Sequence, residues 1–396
     1  MFLFLAFRDW IHQTFLFKFL LSWYHFIFTI NHDSILPNEI ITNILLRLPT
    51  KSLLKCMSVS KSWHQLISSP YFVNTHLKLN GNHRVVFPGS EKYKFCSLPH
   101  LFNEEQLTQE LLHIDPPILS SFFVGSANGL IFICNHEREM CIWNPTISKS
   151  MKLLNSPWGT SFNTKYGFGY DDSCDDYKAL FIDHYHDFNN GEVYSVRIVV
   201  TIYSLRSDSW KTLHDQLQGI FLINHSGKFV NGMIYWIAST GIDDDDARNI
   251  ISFDVANETW GSLEIPIRGE DHSNIKLGVV GSDLAVLYTC HICATTSDVW
   301  ILKDCRGNMS WTKRFTIEYP QYVVLYMFSS PNFTFSIHLR QSNKGDIILS
   351  IRGFIILFDG STKKLEHIAA VGGYNPAETN AESIVNPLTI SGKNST

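Results

Sequence analysis

The chain has 396 residues, enough for two or three domains, and 45% of them are hydrophobic while 17% are charged, which excludes a largely disordered chain. The net charge of −5 and an isoelectric point near 6.4 give no basic field that would favour nucleic acid as a partner. Eight cysteines are too few for a disulfide-built secreted scaffold and favour a reducing compartment.

Residues 1–30 are apolar and contain eight of the 28 phenylalanines. A membrane helix needs about 20 consecutive apolar residues, whereas Arg8, Asp9 and Lys18 interrupt this run. The segment also lacks the basic start and the small-residue cleavage site of a signal peptide. We interpret it as an irregular apolar extension and regard a membrane anchor as the less favoured alternative.

Residues 34–79 predict three short helices. Pro37 at a first helical position and Glu39 in the first turn favour the first helix, which Pro49 ends. Thr50 is predicted to cap the second helix, and Ser60 or Ser62 the third. The apolar residues of the first helix follow a helical period and are Ile40, Ile41, Ile44, Leu45 and Leu48.

The same segment is basic. Five basic residues against Glu39 give it a charge of +4, which leaves −9 for the rest of the chain. The basic residues are Arg47, Lys51, Lys55, Lys61 and Lys78. A basic helical segment therefore precedes an acidic body.

From about residue 84 the pattern changes to short strands that are rich in β-branched and aromatic residues and bounded by turn formers. A unit of strand, polar turn and strand repeats, with Trp210, Trp260 and Trp311 separated by 50 and 51 residues. A period near 50 is typical of a kelch-type β-propeller, and a β-sandwich is the alternative. We predict an all-β domain over residues 84–388 and a polar tail over 389–396.

Two short motifs in this region contain residue types that bind metal ions. His184 and His186 would share one face of a strand, but no further ligands are visible and Asn-Asn-Gly follows, which favours a polar surface loop. Cys290 and Cys293 supply half of a zinc spacing without a second pair. No catalytic motif is recognisable, so we predict no enzymatic activity, no metal and no cofactor.

Residues 36–72, from Leu-Pro-Asn-Glu through Val-Ser-Lys-Ser-Trp to Ser-Ser-Pro-Tyr-Phe, resemble the F-box of plant F-box proteins. The β-rich region resembles the interaction domain associated with that F-box. The residues that carry this second resemblance are Asn128-Gly129-Leu130, Trp143-Asn144-Pro145, the run from Tyr166 to Asp171, and Glu382-Ser383-Ile384-Val385.

The resemblance implies a mainly β protein with a small three-helix F-box over residues 34–79 and a kelch-like propeller or a related all-β interaction domain. It implies a substrate-recognition subunit of an SCF-type cullin–RING ubiquitin ligase, located in the cytoplasm, the nucleus or both. The F-box would bind the Skp-type adaptor, and the β domain would bind an unknown target protein. The residues predicted to bind the adaptor are Leu36, Pro37, Ile40, Ile44, Leu48, Pro49, Leu53, Val59, Lys61 and Trp63.

Three acid-rich segments, 171–176, 183–192 and 240–248, are predicted as loops that could contact a basic target surface. Loops that are merely solvated are the alternative. The predicted target-binding residues are Asp183, His184, His186, Asp243, Asp244, Asp245 and Asp246.

Five Asn-x-Ser/Thr sequons keep a second class of function open, because such sequons are used only in the secretory pathway. They begin at Asn224, Asn257, Asn308, Asn332 and Asn394. The alternative is a secreted or membrane-tethered kelch-type propeller that acts as a binding protein or as a metal oxidase.

Overall fold

A computed structural model describes most of the chain and divides it into two compact units, residues 1–80 and 81–396. The residues described are 37–80, 83–89, 91–97, 112–153, 164–189, 192–213, 217, 219–240, 248–266, 274–289, 295–305, 308–319, 335–339, 347–351, 354–359, 361–362, 364–370 and 377–392. Among them, no helix is long and apolar enough to cross a membrane. The segment 1–30 lies outside the described residues.

The described part of the first unit is helical. Its helices are α1 (Asn38–Leu46), α2 (Thr50–Cys56), α3 (Lys61–Ile67) and α4 (Pro70–Leu79). The structure therefore adds α4 to the three helices that the sequence predicts. Ser60 caps α3 as expected, since its Oγ accepts from the Trp63 N–H at 3.2 Å. Thr50 is not a cap; it is the first helical residue of α2, after Pro49.

The start of α4 has a sequence signal of its own. Ser69 caps it by accepting from the Phe72 N–H at 3.3 Å, and Pro70 occupies the first helical position. Phe72 is fully buried, and one turn later His76 Nε2 lies 2.8 Å from the carbonyl oxygen of Leu48. Helix α4 thereby covers the end of α1 and closes the apolar interior of the helical unit. That interior is formed by Leu45, Leu46, Leu53, Cys56, Ile67 and Phe72.

The second unit consists of strands and one short helix, α5 (Pro387–Ile390). The strands before residue 215 are β1 (His83–Phe87), β2 (Tyr93–Ser97), β3 (Leu112–Ile114), β4 (Ser121–Ala127), β5 (Leu130–Asn135), β6 (Met140–Asn144), β7 (Lys149–Lys152), β8 (Lys165–Asp171), β9 (Asp176–Asn189), β10 (Glu192–Ser204) and β11 (Ser209–Leu213). Those after it are β12 (Phe221–Leu222), β13 (Lys228–Val230), β14 (Met233–Ser239), β15 (Arg248–Asp254), β16 (Thr259–Leu263), β17 (Asn274–Val280), β18 (Asp283–Thr289), β19 (Thr296–Cys305), β20 (Asn308–Glu318), β21 (Phe335–Leu339), β22 (Ile347–Ile351), β23 (Phe354–Asp359), β24 (Lys364–Ala370) and β25 (Glu378–Ala381).

These described strands form five antiparallel sheets, each built largely from strands that follow one another in the chain. The largest sheet has eight strands and consists of two meanders, β17–β20 and β21–β24, which a short parallel pairing of β17 with β21 joins. The innermost strands contact one another in a closed ring, in the order β4, β8, β13, β17, β21, β25 and back to β4. The predicted propeller is thus confirmed in preference to a sandwich.

The C-terminal strand closes the ring. Strand β25 pairs with β1, so the sheet with the order β25-β1-β2-β3 takes its innermost strand from the end of the chain. Ser126 Oγ of β4 donates to the carbonyl oxygen of Thr379 at 2.8 Å, which ties the closing strand to the next sheet. Arg84 of β1 and Glu382 form an ion pair just beyond β25.

One predicted loop is wrong. Residues 183–189 belong to β9 and pair with β10 as far as Glu192↔Asn189, so the segment is a long hairpin and not an irregular insertion. Strand formers lie on both sides of the Asn-Asn-Gly sequence, with Tyr185 and Phe188 before it and Val193 and Tyr194 after it, and such a pattern predicts a hairpin turn.

Candidate functional site

The described helices carry most of the residues predicted to bind an adaptor. Pro37 and Ile40, at the start of α1, are exposed, and Ile40 shows 45% of its surface. Lys61, the first residue of α3, is exposed as well. Half-buried positions complete the set, namely Ile44, Leu48, Pro49, Val59 and Trp63. These residues can therefore contact another protein without unfolding the unit, and Leu36 lies outside the described residues.

Leu53 differs from the others. Its exposed fraction is 0%, so it belongs to the interior of the helical unit and supports the surface without forming part of it. Helix α4, which the sequence analysis does not predict, contacts α1 and α3 and adds Phe72 to this interior.

The helical unit has an open pocket between the end of α2 and the start of α3. It is lined by Met57, Ser58, Ser60, Lys61, His64 and Gln65. Only Lys61 of these was predicted as a contact residue. His64 and Gln65 lie one turn after Lys61, so the helical period of α3 was the signal that could have found them.

The basic character of the helical unit lies on its surface. All five of its lysine and arginine residues from Arg47 to Lys78 are exposed, as is Glu39. Such a surface attracts an acidic partner through a field that salt screens.

The predicted target-binding residues of the β unit are not all at the surface. Asp183 is fully buried on β9, and its Oδ1 accepts a hydrogen bond from Thr164 Oγ1. His184 shows 8% of its surface and stacks on Phe221 with ring centroids 6.1 Å apart. His186 lies on β9, and residues 243–246, together with Cys290 and Cys293, lie outside the described residues. Among the described residues, no three His, Cys, Asp or Glu side chains are grouped to hold a metal ion.

Acids of the segment 171–176 hold strands together. Asp171 Oδ2 lies 2.9 Å from Lys178 Nζ, which also donates to Glu258 Oε1 at 3.0 Å. Asp176 is buried and accepts hydrogen bonds from Ser204 Oγ and the Arg206 N–H at 2.6 and 2.8 Å. Asp171 and Asp176 are therefore buried and accept hydrogen bonds from strand and turn groups, whereas Asp172 is exposed, so contact of this segment with a target stays a prediction.

Because of this network, we expect the stability of the β unit to fall at acid pH. Burial alone would raise the pKa of Asp171, but hydrogen bonds from Ser173, Lys178 and Cys174 outweigh it and lower the pKa to about 2. Because the pKa of this carboxyl group is lower in the folded state than its value of about 3.9 in the unfolded state, its ionised form stabilises the fold above about pH 3.9. This stabilisation is lost as the pH falls towards about 2.

We expect Asp171 to contribute roughly 2 kcal/mol to the free energy of unfolding above pH 4, and this contribution should decline at lower pH. Urea unfolding of the wild type at steps between pH 5 and pH 3 should show this loss, and Asp171→Asn should show a shallower dependence over the same steps. Equal slopes for the two proteins would contradict the assignment.

The asparagine side chains of two sequons donate hydrogen bonds to neighbouring residues of the chain. Asn224 Nδ2 donates to the carbonyl oxygen of Ser226 at 2.8 Å, and Asn257 Nδ2 donates to Asp254 Oδ2 at 2.9 Å. Both asparagines therefore stabilise a turn.

Comparisons with known proteins agree with the architecture. Residues 34–75 match the F-box domain, and residues 91–370 match the F-box associated beta propeller domain. Three relatives from Arabidopsis thaliana show the extent of the similarity. F-box protein CPR1 is 25% identical and covers 90% of this chain and 89% of its own length. F-box/WD-40 repeat-containing protein 1 is 30% identical, covering 80% and 76%, and an F-box/kelch-repeat protein is 28% identical, covering 71% and 79%. The chain therefore belongs to the F-box proteins that carry an F-box associated beta propeller domain.

Proposed function

We propose that this chain is the substrate-recognition subunit of an SCF-type cullin–RING E3 ubiquitin ligase. An F-box and a propeller on one chain, with F-box proteins as relatives, support a substrate-receptor role in general. In the proposal, the helical unit binds a Skp-type adaptor and the β unit binds the target protein.

The exposed start of α1 is the observation that carries the adaptor contact. Ile40 presents an aliphatic side chain to solvent beside Pro37, whereas the other face of α1 buries Leu45 and Leu46. Burying a fully exposed aliphatic side chain gains about 1.5–3 kcal/mol, and Ile40, which is 45% exposed, would gain about half of that when a partner covers it. A few side chains that become fully buried commonly supply most of the binding energy of an interface.

The chain contributes position and not chemistry in this role. Binding a target on the same assembly as a ubiquitin-charged E2 enzyme raises the effective concentration of a target lysine near the reactive thioester. This requires two binding surfaces on one chain and no catalytic residue in either unit.

Ile40→Glu is expected to weaken adaptor binding tenfold or more, because it would place a charge in an apolar contact, where desolvation costs on the order of several kcal/mol. Isothermal titration of the full chain with a recombinant Skp-type protein measures this. Met309→Glu, at a residue of β20 that is 53% exposed, is the matched control and should bind as the wild type does. Equal affinity of Ile40→Glu and the wild type would contradict the proposed function.

A further inference from the structure

We propose that the β unit binds a carboxylate-bearing side chain of its target, next to an apolar residue, at a surface formed by Phe122, His136, Lys165, Ile223 and His225. This rests on the proposed function, because it specifies the chemistry by which the target would be held. We call these five residues the cationic–aromatic surface.

The cationic–aromatic surface joins elements of three successive sheets. Phe122 is the second residue of β4, His136 follows the end of β5, and Lys165 is the first residue of β8. Ile223 and His225 lie between β12 and β13. Residues that are distant in the chain therefore meet where the inner strands β4 and β8 begin.

Aromatic rings form the base of this surface. The Phe122 ring lies 5.9 Å from the His136 ring and 5.1 Å from the His225 ring, measured between centroids. The His225 ring is also 5.1 Å from that of Tyr166, which is buried. His136 and His225 are exposed, and Phe122 is half-buried between them. Their ring edges can thus meet a ligand from solvent.

The segment that carries Ile223 and His225 is fixed by backbone hydrogen bonds. The Tyr166 N–H donates to the carbonyl oxygen of His225 at 2.9 Å, and the Gly227 N–H donates to that of Tyr166 at 2.8 Å. The Ile223 N–H donates to the carbonyl oxygen of Ile237 at 2.8 Å. A surface held in this way loses little conformational entropy when it binds.

Lys165 supplies the charge. Its ammonium group is half-buried and donates to the carbonyl oxygen of Ile223 at 3.3 Å. Within the part of the chain that the structure describes, no carboxylate lies at ion-pair distance from it, in contrast to Lys178 and Lys228. Burial lowers the pKa of Lys165, and a bound anion would offset that cost.

His225 supplies a hydrogen-bond donor without adding charge. Packing against Phe122 and Tyr166 partly withdraws the His225 ring from water, and together with the nearby positive charge of Lys165 this lowers its pKa to about 4. His225 is therefore neutral near pH 7 and can donate one N–H.

One ammonium group and the neutral N–H of His225 match the single charge of a carboxylate better than the charge of about −2 of a phosphate group. Ile223 shows 43% of its surface beside these donors. An apolar residue next to the acid would cover it.

An array of immobilised peptides tests this, each carrying Glu beside Leu, with Gln and phosphoserine versions of every peptide. The full chain, with and without a recombinant Skp-type protein, is applied as wild type, Lys165→Met, Lys165→Arg and Lys149→Met. Lys149 is an exposed lysine of β7 and serves as the matched control. We expect some Glu peptides to bind the wild type and Lys149→Met equally well. The same peptides should bind Lys165→Met roughly tenfold or more weakly, and Lys165→Arg should restore part of the lost affinity.

Binding of Gln peptides as tightly as Glu peptides would overturn the proposal, as would equal binding by Lys165→Met or the absence of any Lys165-dependent peptide. Lys165-dependent binding of phosphoserine peptides alone would overturn the choice of a carboxylate. Adaptor binding is measured on the same samples, so failure of the adaptor role and failure of this surface are distinguishable. Unfolding midpoints of the four proteins exclude a folding defect.

Discussion

Replacing Lys178 with methionine is expected to destabilise the β unit by about 3–5 kcal/mol. Lys178 is 7% exposed, and its Nζ lies 2.9 Å from Asp171 Oδ2, 3.0 Å from Glu258 Oε1 and 2.8 Å from the carbonyl oxygen of Val255. Methionine keeps most of the volume but leaves the carboxylate of Asp171, which is buried, without its counter-charge. Because Glu258 and Val255 lie in the turn after β15, this lysine also joins two neighbouring sheets.

Lys211→Met is the matched control, because Lys211 pairs with the same Glu258 from a side chain that is 62% exposed. A solvated pair of this kind is worth at most about 1 kcal/mol. Urea unfolding at pH 7 measures both variants. The double variant Asp171→Asn with Lys178→Met should cost less than the sum of the single changes, since no buried carboxylate is then left unpaired. A Lys178→Met protein as stable as Lys211→Met would show that the network does not hold the sheets together.

The repeat of strands was predictable because it is local. Trp210 and Trp260 pair with Tyr203 and Phe253 across neighbouring strands, and strand–turn–strand units of this kind leave a pattern that a sequence shows directly. Turn chemistry was harder to interpret. Asn and Gly favour a loop over residues 183–192, but the strand formers around them pair up to Glu192↔Asn189 and make a hairpin.

The cationic–aromatic surface could not be predicted from the sequence. Phe122, Lys165 and His225 lie in three different parts of the chain, and no motif links them. Only the packing of successive sheets brings them together. The same holds for Asn144, whose Nδ2 donates to the carbonyl oxygen of Val385 at 2.8 Å across 241 positions. Two of the segments that carry the resemblance to the family, residues 143–145 and 382–385, are thus in contact with each other.

Gly129→Ala is the second change for which we expect a large effect, because it disturbs the closure of the ring. Gly129 has a φ of +85°, and a Cβ there would lie 2.1 Å from Ser383 Oγ and 2.8 Å from the carbonyl oxygen of Ala381. The segment after β25 must move, which also strains the hydrogen bonds of 3.1 Å from Asn144 Nδ2 to Ser383. Positive φ and overpacking each cost about 1–3 kcal/mol, so we expect a loss of about 3–5 kcal/mol in thermal or urea unfolding.

Gly232→Ala separates these two costs. Gly232 follows an asparagine in the same kind of turn and has a φ of +80°, but a Cβ there would meet nothing within 4 Å. It should lose only the backbone contribution, about 1–2 kcal/mol. Adding Ser383→Gly to Gly129→Ala removes the nearest colliding atoms and should restore part of the stability. Limited proteolysis should cut Gly129→Ala near residue 381 before it cuts Gly232→Ala. Equal stability of the two alanine variants would mean that contact between the turn at Gly129 and the C-terminal segment does not close the propeller.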